Sequence, residues 1–509
     1  MAQARRRRHV AFSDRDSLFG LERYRPIVDD WEAFRAALFR PQPATIRANA
    51  LKTTPEALRR ALEALGFALT PAPFDPALFT IDAPPIPPGK TVLHWLGHFY
   101  VQEAAAALPV LALAPEPEER VLDLAAAPGG KTTQIAERMG DRGLVVGNDP
   151  DGARLQSLLA NVYRLGTTAV AVTRQDGRRL SGGRPFDRVL VDAPCTAEGN
   201  VRRRAGARRT RSPGEHRRLA ALQTALLERG VALARDGGVV VYSTCTFAPE
   251  ENEAVVDAVV RKAGGAVRIE PLPEGLPGVP GLEAWEGARY VPEMVLTRRI
   301  YPHHLDSGGM YIARLRRLAP PPWADRLPPS PGARGAGLER PDPALVRALL
   351  DGFRDRFGLP PTALEGLTFF VRGGDVWATR LADVPDGPEL VAAGIRLFRL
   401  QPGEGKMPSP GPLRNAKPTS FALLHFAQEA RANVADVDAE ALLALLEGRR
   451  IAPPAAAALE RGFVALRFRG TVIGLGHLDA DGLRSGLPRG RAEDLRAALL
   501  EERALHEAP

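Results

Sequence analysis

From residue 120 to residue 315, short β-branched apolar runs alternate with helical segments, and that rhythm leaves few folds open. The runs are VLDLA (121–125), LVVG (144–147), VAVT (170–173), DRVLVD (187–192) and VVVY (239–242). Short, near-continuous apolar runs suit strands covered on both faces. Segments with helical spacing at 132–139, 152–165 and 215–234 separate most of them. Such alternation predicts a doubly wound, Rossmann-like parallel α/β sheet with right-handed crossovers, and MYIARL (310–315) adds a late strand.

In an open sheet of this kind ligands bind at the carboxyl ends of the strands. The chemically useful residues of this chain fall there. The first strand runs into AAAPGGKT (125–132), a Gly-rich turn whose backbone N–H groups can approach a ligand at a helix N-terminus. Asp149, Asp176 and Asp192 end the next three strands, and each alone suits a turn or helix cap. Three together behind a Gly-rich turn favour a nucleoside-like cofactor. Both cysteines, Cys195 in DAPC and Cys245 in YSTC, lie just beyond strand ends on predicted neighbours. After Cys245, Pro249 followed by Glu250, Glu251 and Glu253 predicts a helix start near Pro249, its acids complementing the positive end of the dipole.

A chain of 509 residues with 45% hydrophobic content implies about three domains with full cores. Two cysteines exclude a disulfide framework and the usual multi-cysteine zinc site, and suit a reducing cytosol. The net charge of +8 points to a polyanionic partner, but only six of the 68 basic residues are Lys, an Arg bias that a GC-rich genome also produces. Local clustering of Arg therefore has to carry that argument. No apolar segment follows Arg5, Arg6, Arg7 and Arg8 closely enough for a signal peptide, and no apolar run approaches 18 residues. A cytoplasmic monomer without membrane association is expected.

The expected layout is a basic arm (1–20), a small mixed domain (21–105), the catalytic domain (106–319), a Pro/Gly-rich linker (320–343) and two C-terminal α+β regions (344–405 and 406–509). Within these, IRANAL (46–51) reads as a strand, 55–65 as a helix, 71–88 as a Pro-rich connector and 343–357 as a helix. Helices are also expected within 420–448, and a hairpin over 463–478.

The motifs DLAAAPGGKT, DAPCTAEGN and YSTCTFAPEEN resemble those of the AdoMet-dependent RNA 5-methylcytosine methyltransferases of the Nop2/Sun type. IRANALK, FYVQEAA (99–105) and GMYIARLRRL extend the likeness. The full layout is most similar to the bacterial small-subunit (16S) ribosomal RNA methyltransferase F group. The end of the chain resembles that group's PUA-like RNA-binding region but departs from it at RSGLPR (484–489).

The resemblance implies S-adenosyl-L-methionine as cofactor and 16S ribosomal RNA near the decoding region as substrate. It implies Cys245 as the nucleophile that adds to carbon 6 of cytosine and Cys195 as the thiol that assists product release. Asp192 would hold the cytosine edge and Lys131 would orient the base. The cofactor would lie against Ala125, Ala126, Ala127, Pro128, Gly129, Gly130, Lys131 and Asp192, with Asp149 on the ribose, Asp176 on the adenine edge and Arg154 beside them. Two thiols suit this chemistry because carbon 5 of cytosine is a poor nucleophile until a thiolate adds at carbon 6. Methyltransferases of exocyclic amines use an (N/D)PP(Y/F) loop and need no thiol.

VRRRAGARRTRS (201–212) carries Arg202, Arg203, Arg204, Arg208, Arg209 and Arg211 with no acid, next to a cleft loop, and is expected to bind RNA phosphates. The target base must leave its stack to meet a thiol. Two other readings stay open. A P-loop-like nucleotide hydrolase needs Gly where Ala125 stands. A non-catalytic RNA-binding or ribosome assembly factor would have no use for both thiols.

Overall fold

The computed structural model describes residues 18, 20–180, 183–203, 211–324, 338–381, 389–400, 416–454 and 458–507. The small N-terminal domain holds strands β1 (Ala44–Ala48), β2 (Leu69–Ala72), β3 (Asp75–Ile81) and β4 (Phe99–Val101), antiparallel in the order β2-β3-β1-β4. Helix α1 (Trp31–Phe39) precedes them. Helix α2 (Pro55–Glu63) is started by Thr54, whose hydroxyl accepts from the Ala57 N–H, with Pro55 in the first turn. The Pro-rich connector expected at 71–88 is largely strand. Phe79 and Ile81 bury against Leu58 and Leu62 of α2, while exposed Pro76 precedes the first residue paired to β1. Burial of these apolar side chains outweighs the local Pro signal, since Pro is tolerated where no ladder bond is needed.

Helix α3 (Val92–Leu96) leads to β4, and α4 (Ala104–Leu113) enters the catalytic sheet. The alternation predicted from residue 120 is present: β5 (Arg120–Asp123), α5 (Gly130–Arg138), β6 (Leu144–Asn148), α6 (Gly152–Leu165), β7 (Val170–Arg174), β8 (Phe186–Asp192), α7 (Pro213–Leu233) and β9 (Ala234–Thr244). These five strands are mutually parallel in the order β9-β8-β5-β6-β7. β9 starts earlier than expected, at Ala234, and Gly237 (φ 75°) lies inside it beside an irregularity in the pairing with β8. Met310–Arg317 pairs antiparallel with β9.

On the far side of the sheet, Glu389–Ala393 pairs antiparallel with β7. That strand lies within 344–405, so the expected boundary does not separate this segment from the catalytic sheet. The remaining C-terminal chain builds two four-stranded sheets, and its hairpin is Gly462–Phe468 with Thr471–Asp479. Pro343–Phe357 is helical as expected. Arg489–Glu507 turns back onto the N-terminal domain, where the Val92 N–H donates to Glu502 at 2.7 Å. Among the described residues no helix is long and apolar enough to cross a membrane.

One buried ion pair ties the N-terminal domain to the cofactor side of the sheet. Arg47 of β1 donates from Nε and from a terminal nitrogen to Glu137 of α5, both at 2.8 Å, and also to the Gly130 carbonyl at 2.9 Å. Both side chains are almost fully buried, and burial pushes the Glu137 carboxyl up despite Arg47. Removing one partner leaves a buried charge unpaired, at a cost of about 3–5 kcal/mol. We therefore predict that Arg47→Ala loses that much in urea unfolding, and that Arg47→Met combined with Glu137→Leu recovers most of it. A double variant as unstable as the single one would refute the pairing argument.

Candidate active site

β8 and β9 lie side by side with Asp192 opposite Ser243, so the loops that follow them rise at the same sheet edge. Those loops carry the two cysteines, and their sulfurs stand 3.4 Å apart. Both motifs read Cys-Thr, and the two threonines explain the spacing. Thr196 Oγ1 and Thr246 Oγ1 share a hydrogen bond of 2.7 Å directly behind the thiols. Thr196 also donates from its N–H (3.0 Å) and hydroxyl (2.7 Å) to Glu251. Thr246 Oγ1 also lies 2.8 Å from Glu198.

Beneath these sits His216 of α7, with Nδ1 2.7 Å from Glu251 and Nε2 3.9 Å from Glu198. Tyr24 from the N-terminal segment donates to Glu198 and Gln223 to Glu251. Every one of these polar groups is buried. Burial pulls the His216 pKa down, but the bond to Glu251 and the charge of Glu198 outweigh it and the net shift is upward. Burial raises the Glu198 carboxyl.

The acids after Pro249 therefore do something other than expected. Helix α8 begins at Glu253, not near Pro249. Glu251 braces the thiol loops, Glu253 forms a buried ion pair with Arg299, and Glu250 pairs with Arg23. Their partners are far away in sequence, so a local dipole argument could not find them.

Of the two thiols, Cys245 faces a cavity of about 300 Å³ and Cys195 stands behind it. Asn200 donates to Cys245 Sγ at 3.3 Å. The contact with Cys245 and then burial hold the Cys195 thiol well above the ordinary range. Either sulfur of the pair can donate to the other. Asp192 also lines the cavity and is fixed from two sides, by Lys131 Nζ on Oδ2 and Ser243 on Oδ1, each at 2.8 Å. Burial alone would lower the Lys131 pKa, yet Asp192 and then Asp123 leave it raised.

The Gly-rich turn forms the opposite wall. Gly129 (φ 101°) starts α5, and a Cβ there would meet Leu158 at 2.6 Å, so only glycine serves. Asp123 at the end of β5 accepts from Thr132 through one oxygen, while the other is buried without a partner. Burial pushes this carboxyl up to about 7. An orphaned carboxylate oxygen on a residue that lines this pocket fits a ligand that brings its own positive charge. The same carboxylates repel a triphosphate, which counts against a P-loop reading beyond Ala125.

The expected residues divide as follows. Ala125, Ala126, Ala127, Pro128, Gly130, Lys131, Asp192 and Cys245 line the cavity, whereas Gly129, Asp149, Arg154, Asp176 and Cys195 do not. Asp149 is fully buried, accepting from the Asp151 N–H at 3.0 Å with Arg154 at 3.3 Å, and Arg154 also donates to the Ala127 carbonyl at 2.6 Å. Asp176 caps the turn Gly177–Arg179 and pairs with Arg178.

In the basic loop, Arg202 is removed from the RNA-facing set. Its side chain is buried and bonded to Asp306 at 2.7 Å and to the Arg40, Pro41 and Ser307 carbonyls. Arg203 pairs with Glu103 at the cavity mouth, and Arg211 donates to the Thr196 carbonyl at 2.8 Å. Arg204, Arg208 and Arg209 lie outside the described residues. Sequence reasoning missed Asp123, Asn200, Glu198 and His216. The first three stand inside the quoted motifs, but nothing near His216 marks it.

Known proteins resemble this chain along most of its length. The family model described as 16S rRNA methyltransferase RsmB/F matches residues 110–316, and that of the N-terminal domain of 16S rRNA methyltransferase RsmF matches 21–104. A protein of Vibrio vulnificus named ribosomal RNA small subunit methyltransferase F is 32% identical over 92% of this chain and 95% of its own length. One of the same name from Erwinia tasmaniensis is 39% identical over 58% of this chain, an alignment that spans 62% of that protein. A mouse protein named 28S rRNA (cytosine-C(5))-methyltransferase is 36% identical over 55% of this chain and 36% of its own length. The chain belongs to the 16S rRNA methyltransferase RsmB/F family.

Proposed function

We propose that this chain methylates carbon 5 of a cytosine in small-subunit ribosomal RNA, using S-adenosyl-L-methionine and a covalent adduct through Cys245. The observation that carries the reading is the thiol pair at 3.4 Å on neighbouring strand ends, one sulfur facing the cavity and the other behind it. The names of the relatives support ribosomal RNA as the substrate and cytosine carbon 5 as the position. Action as a monomer in the cytoplasm belongs to this reading, the location because its substrate is ribosomal RNA.

The cofactor fits the wall made by Ala125, Ala126, Ala127, Pro128 and Gly130 together with Asp123, whose unpartnered oxygen suits its cationic groups. Asp149 and Asp176, beyond β6 and β7, are assigned to its ribose and adenine edge, with Arg154 positioning the turn. When bound, the cofactor supplies an electrophilic methyl group. Asp192, fixed by Lys131 and Ser243, presents a carboxylate to the amino and ring-nitrogen edge of a flipped cytosine, and Lys131 bounds the same face.

Cys245 loses its thiol proton to solvent, its sulfur lone pair forms the bond to carbon 6, and the electrons of the 5,6 double bond shift to make carbon 5 nucleophilic. After methylation the carbon 5 proton passes to water, the double bond re-forms and the Cys245 sulfur is expelled as a thiolate. Cys195, held in its protonated form 3.4 Å away, can hydrogen-bond to that departing sulfur and stabilise its charge. Arg203 and Arg211, with Arg204, Arg208 and Arg209, are assigned to RNA phosphates near the mouth.

Two predictions follow from the roles of the thiols and of their support. Cys245→Ala abolishes methyl transfer, whereas Cys195→Ala accumulates enzyme covalently attached to RNA, visible on denaturing gels. Normal turnover by Cys245→Ala overturns the nucleophile assignment.

The second concerns His216. Its folded pKa lies above the ordinary value, so its charged form stabilises the fold fully below about 6.5 and loses that contribution as pH rises through the folded value. The stability gap between wild type and His216→Gln, measured by urea unfolding, should shrink from pH 6 to pH 9. A gap independent of pH would show that the imidazole is not charged in its bridge.

A further inference from the structure

At the amino edge of the catalytic sheet a cavity of about 730 Å³ opens between three parts of the chain. Residues 140–142 lead into β6 and residues 165–168 into β7, so this cavity lies at the opposite strand ends from the thiols. Strands of five residues separate the two edges by roughly 15 Å. Its wall brings together Lys52 and His98 from the N-terminal domain, Arg142 from the catalytic domain, and Arg380 and His425 from the C-terminal chain.

Behind this wall stand Arg164 and Arg491, and the cations share one feature. Their polar partners are neutral. Lys52 Nζ donates to the Leu96 and Arg164 carbonyls, at 2.5 and 2.9 Å. Arg164 donates to the His94 and Phe99 carbonyls and to Asn161. Arg491 donates to the Trp95 carbonyl and lies 3.8 Å from the centre of the Trp95 ring. The Leu96 and Arg164 carbonyls lie in the last turns of α3 and α6, where a helix end offers about half a negative charge, and the acids Glu137 and Asp494 act on Arg164 and Arg491 through their charge alone.

The carboxylate in the wall, Asp141, is already engaged, accepting from the Thr168 N–H and hydroxyl and the Ala169 N–H, with Arg380 4.0 Å away. Arg142 has an exposed contact with Glu118 at 3.6 Å, a kind of pair that contributes little. The imbalance shows in the neighbours. Burial and then Lys52 depress His98 to about 4 and lower His425, while burial, Arg164 and Arg491 hold Lys52 well below its ordinary range.

We propose that this cavity is a second RNA contact that takes one or two backbone phosphates from a segment beyond the target cytosine. A phosphate offers several acceptor oxygens to donors converging from three directions, and it supplies the negative charge that the seam lacks. That the phosphate belongs to RNA rests on the function proposed above. Binding here clamps the N-terminal domain, the sheet and the C-terminal chain on one RNA, so the substrate is read at two opposite edges of the catalytic domain.

The test compares the full-length chain with Arg142→Glu/Arg380→Glu and with the milder Arg142→Gln/Arg380→Gln. These side chains are 58% and 45% exposed, so the fold tolerates the change. Filter binding is measured with a complete small-subunit RNA transcript and with a short single-stranded oligonucleotide carrying the target cytosine. The charge-reversed variant should bind the transcript about tenfold more weakly, with a log–log salt slope shallower by about two. The Gln variant should fall between, while affinity for the oligonucleotide and for S-adenosyl-L-methionine stays unchanged.

Unaltered transcript affinity and salt slope overturn the proposal. So does weaker calorimetric binding of inorganic phosphate with no change for the transcript, which marks the cavity as a small-anion site. Failure of the wild type to transfer methyl groups is a separate result, because these readouts need no turnover.

Discussion

The hydrogen bond between Thr196 and Thr246 is the contact on which the catalytic geometry depends. Each threonine follows a cysteine, so joining the hydroxyls at 2.7 Å brings the sulfurs to 3.4 Å. Hydroxyls alone do not hold such an arrangement, because each rotates freely until a stronger acceptor fixes it. Glu251 accepts the Thr196 proton, which leaves the Thr246 proton for the bond between the hydroxyls, and Glu198 lies 2.8 Å from Thr246; both acids are buried. Carboxylates out of water need compensation, which His216 from α7, Tyr24 from the N-terminal segment and Gln223 provide. The thiol pair thus rests on a network that reaches from the turn Leu21–Tyr24 to the middle of the catalytic domain. Such networks fix one geometry only when every member is satisfied.

Electrostatics then sort two chemically identical thiols into different roles. The cavity side belongs to Cys245, with Asn200 donating to its sulfur and Lys131 close by. The inner side belongs to Cys195, kept protonated by its contact with Cys245 and by burial. On the wall facing them, Asp192 has both oxygens committed to Lys131 and Ser243, while Asp123 keeps one oxygen free. A site with two carboxylates and an orphaned acceptor is built for cationic and hydrogen-bond-donating ligands. That is the character of a sulfonium cofactor and of the amino edge of cytosine, and it is unsuited to a nucleoside triphosphate.

How much of this was legible in the sequence depended on how local the cause was. Strands and helices from residue 120 onward follow from apolar periodicity, which acts within a few residues, and helix 152–165 has the expected bounds. The adjacency of the cysteine strands followed from the rules of parallel sheets. The errors have a common origin in distant partners. Glu250 and Glu251 look like first-turn acids but precede the helix and bind Arg23 and His216, and Glu253, which is in the first turn, also pairs with distant Arg299. Arg202 looks like one of six equivalent arginines but is captured by Asp306 and three carbonyls. β3 lies hidden in a Pro-rich stretch because burial against α2 cannot be seen from residues 71–88 alone. The roles of Lys131, Cys195 and Cys245 came from motif likeness, and periodicity could not have assigned them.

The most direct test of the central claim is the fate of the hydrogen on cytosine carbon 5. Unmodified small-subunit RNA carrying tritium at that position would be incubated with the protein and S-adenosyl-L-methionine bearing a carbon-14 methyl group. Ring-carbon methylation through the Cys245 adduct predicts one tritium released to water for each methyl group incorporated. Methyl incorporation without tritium release would place the new group elsewhere on the RNA and contradict the role given to the thiol pair.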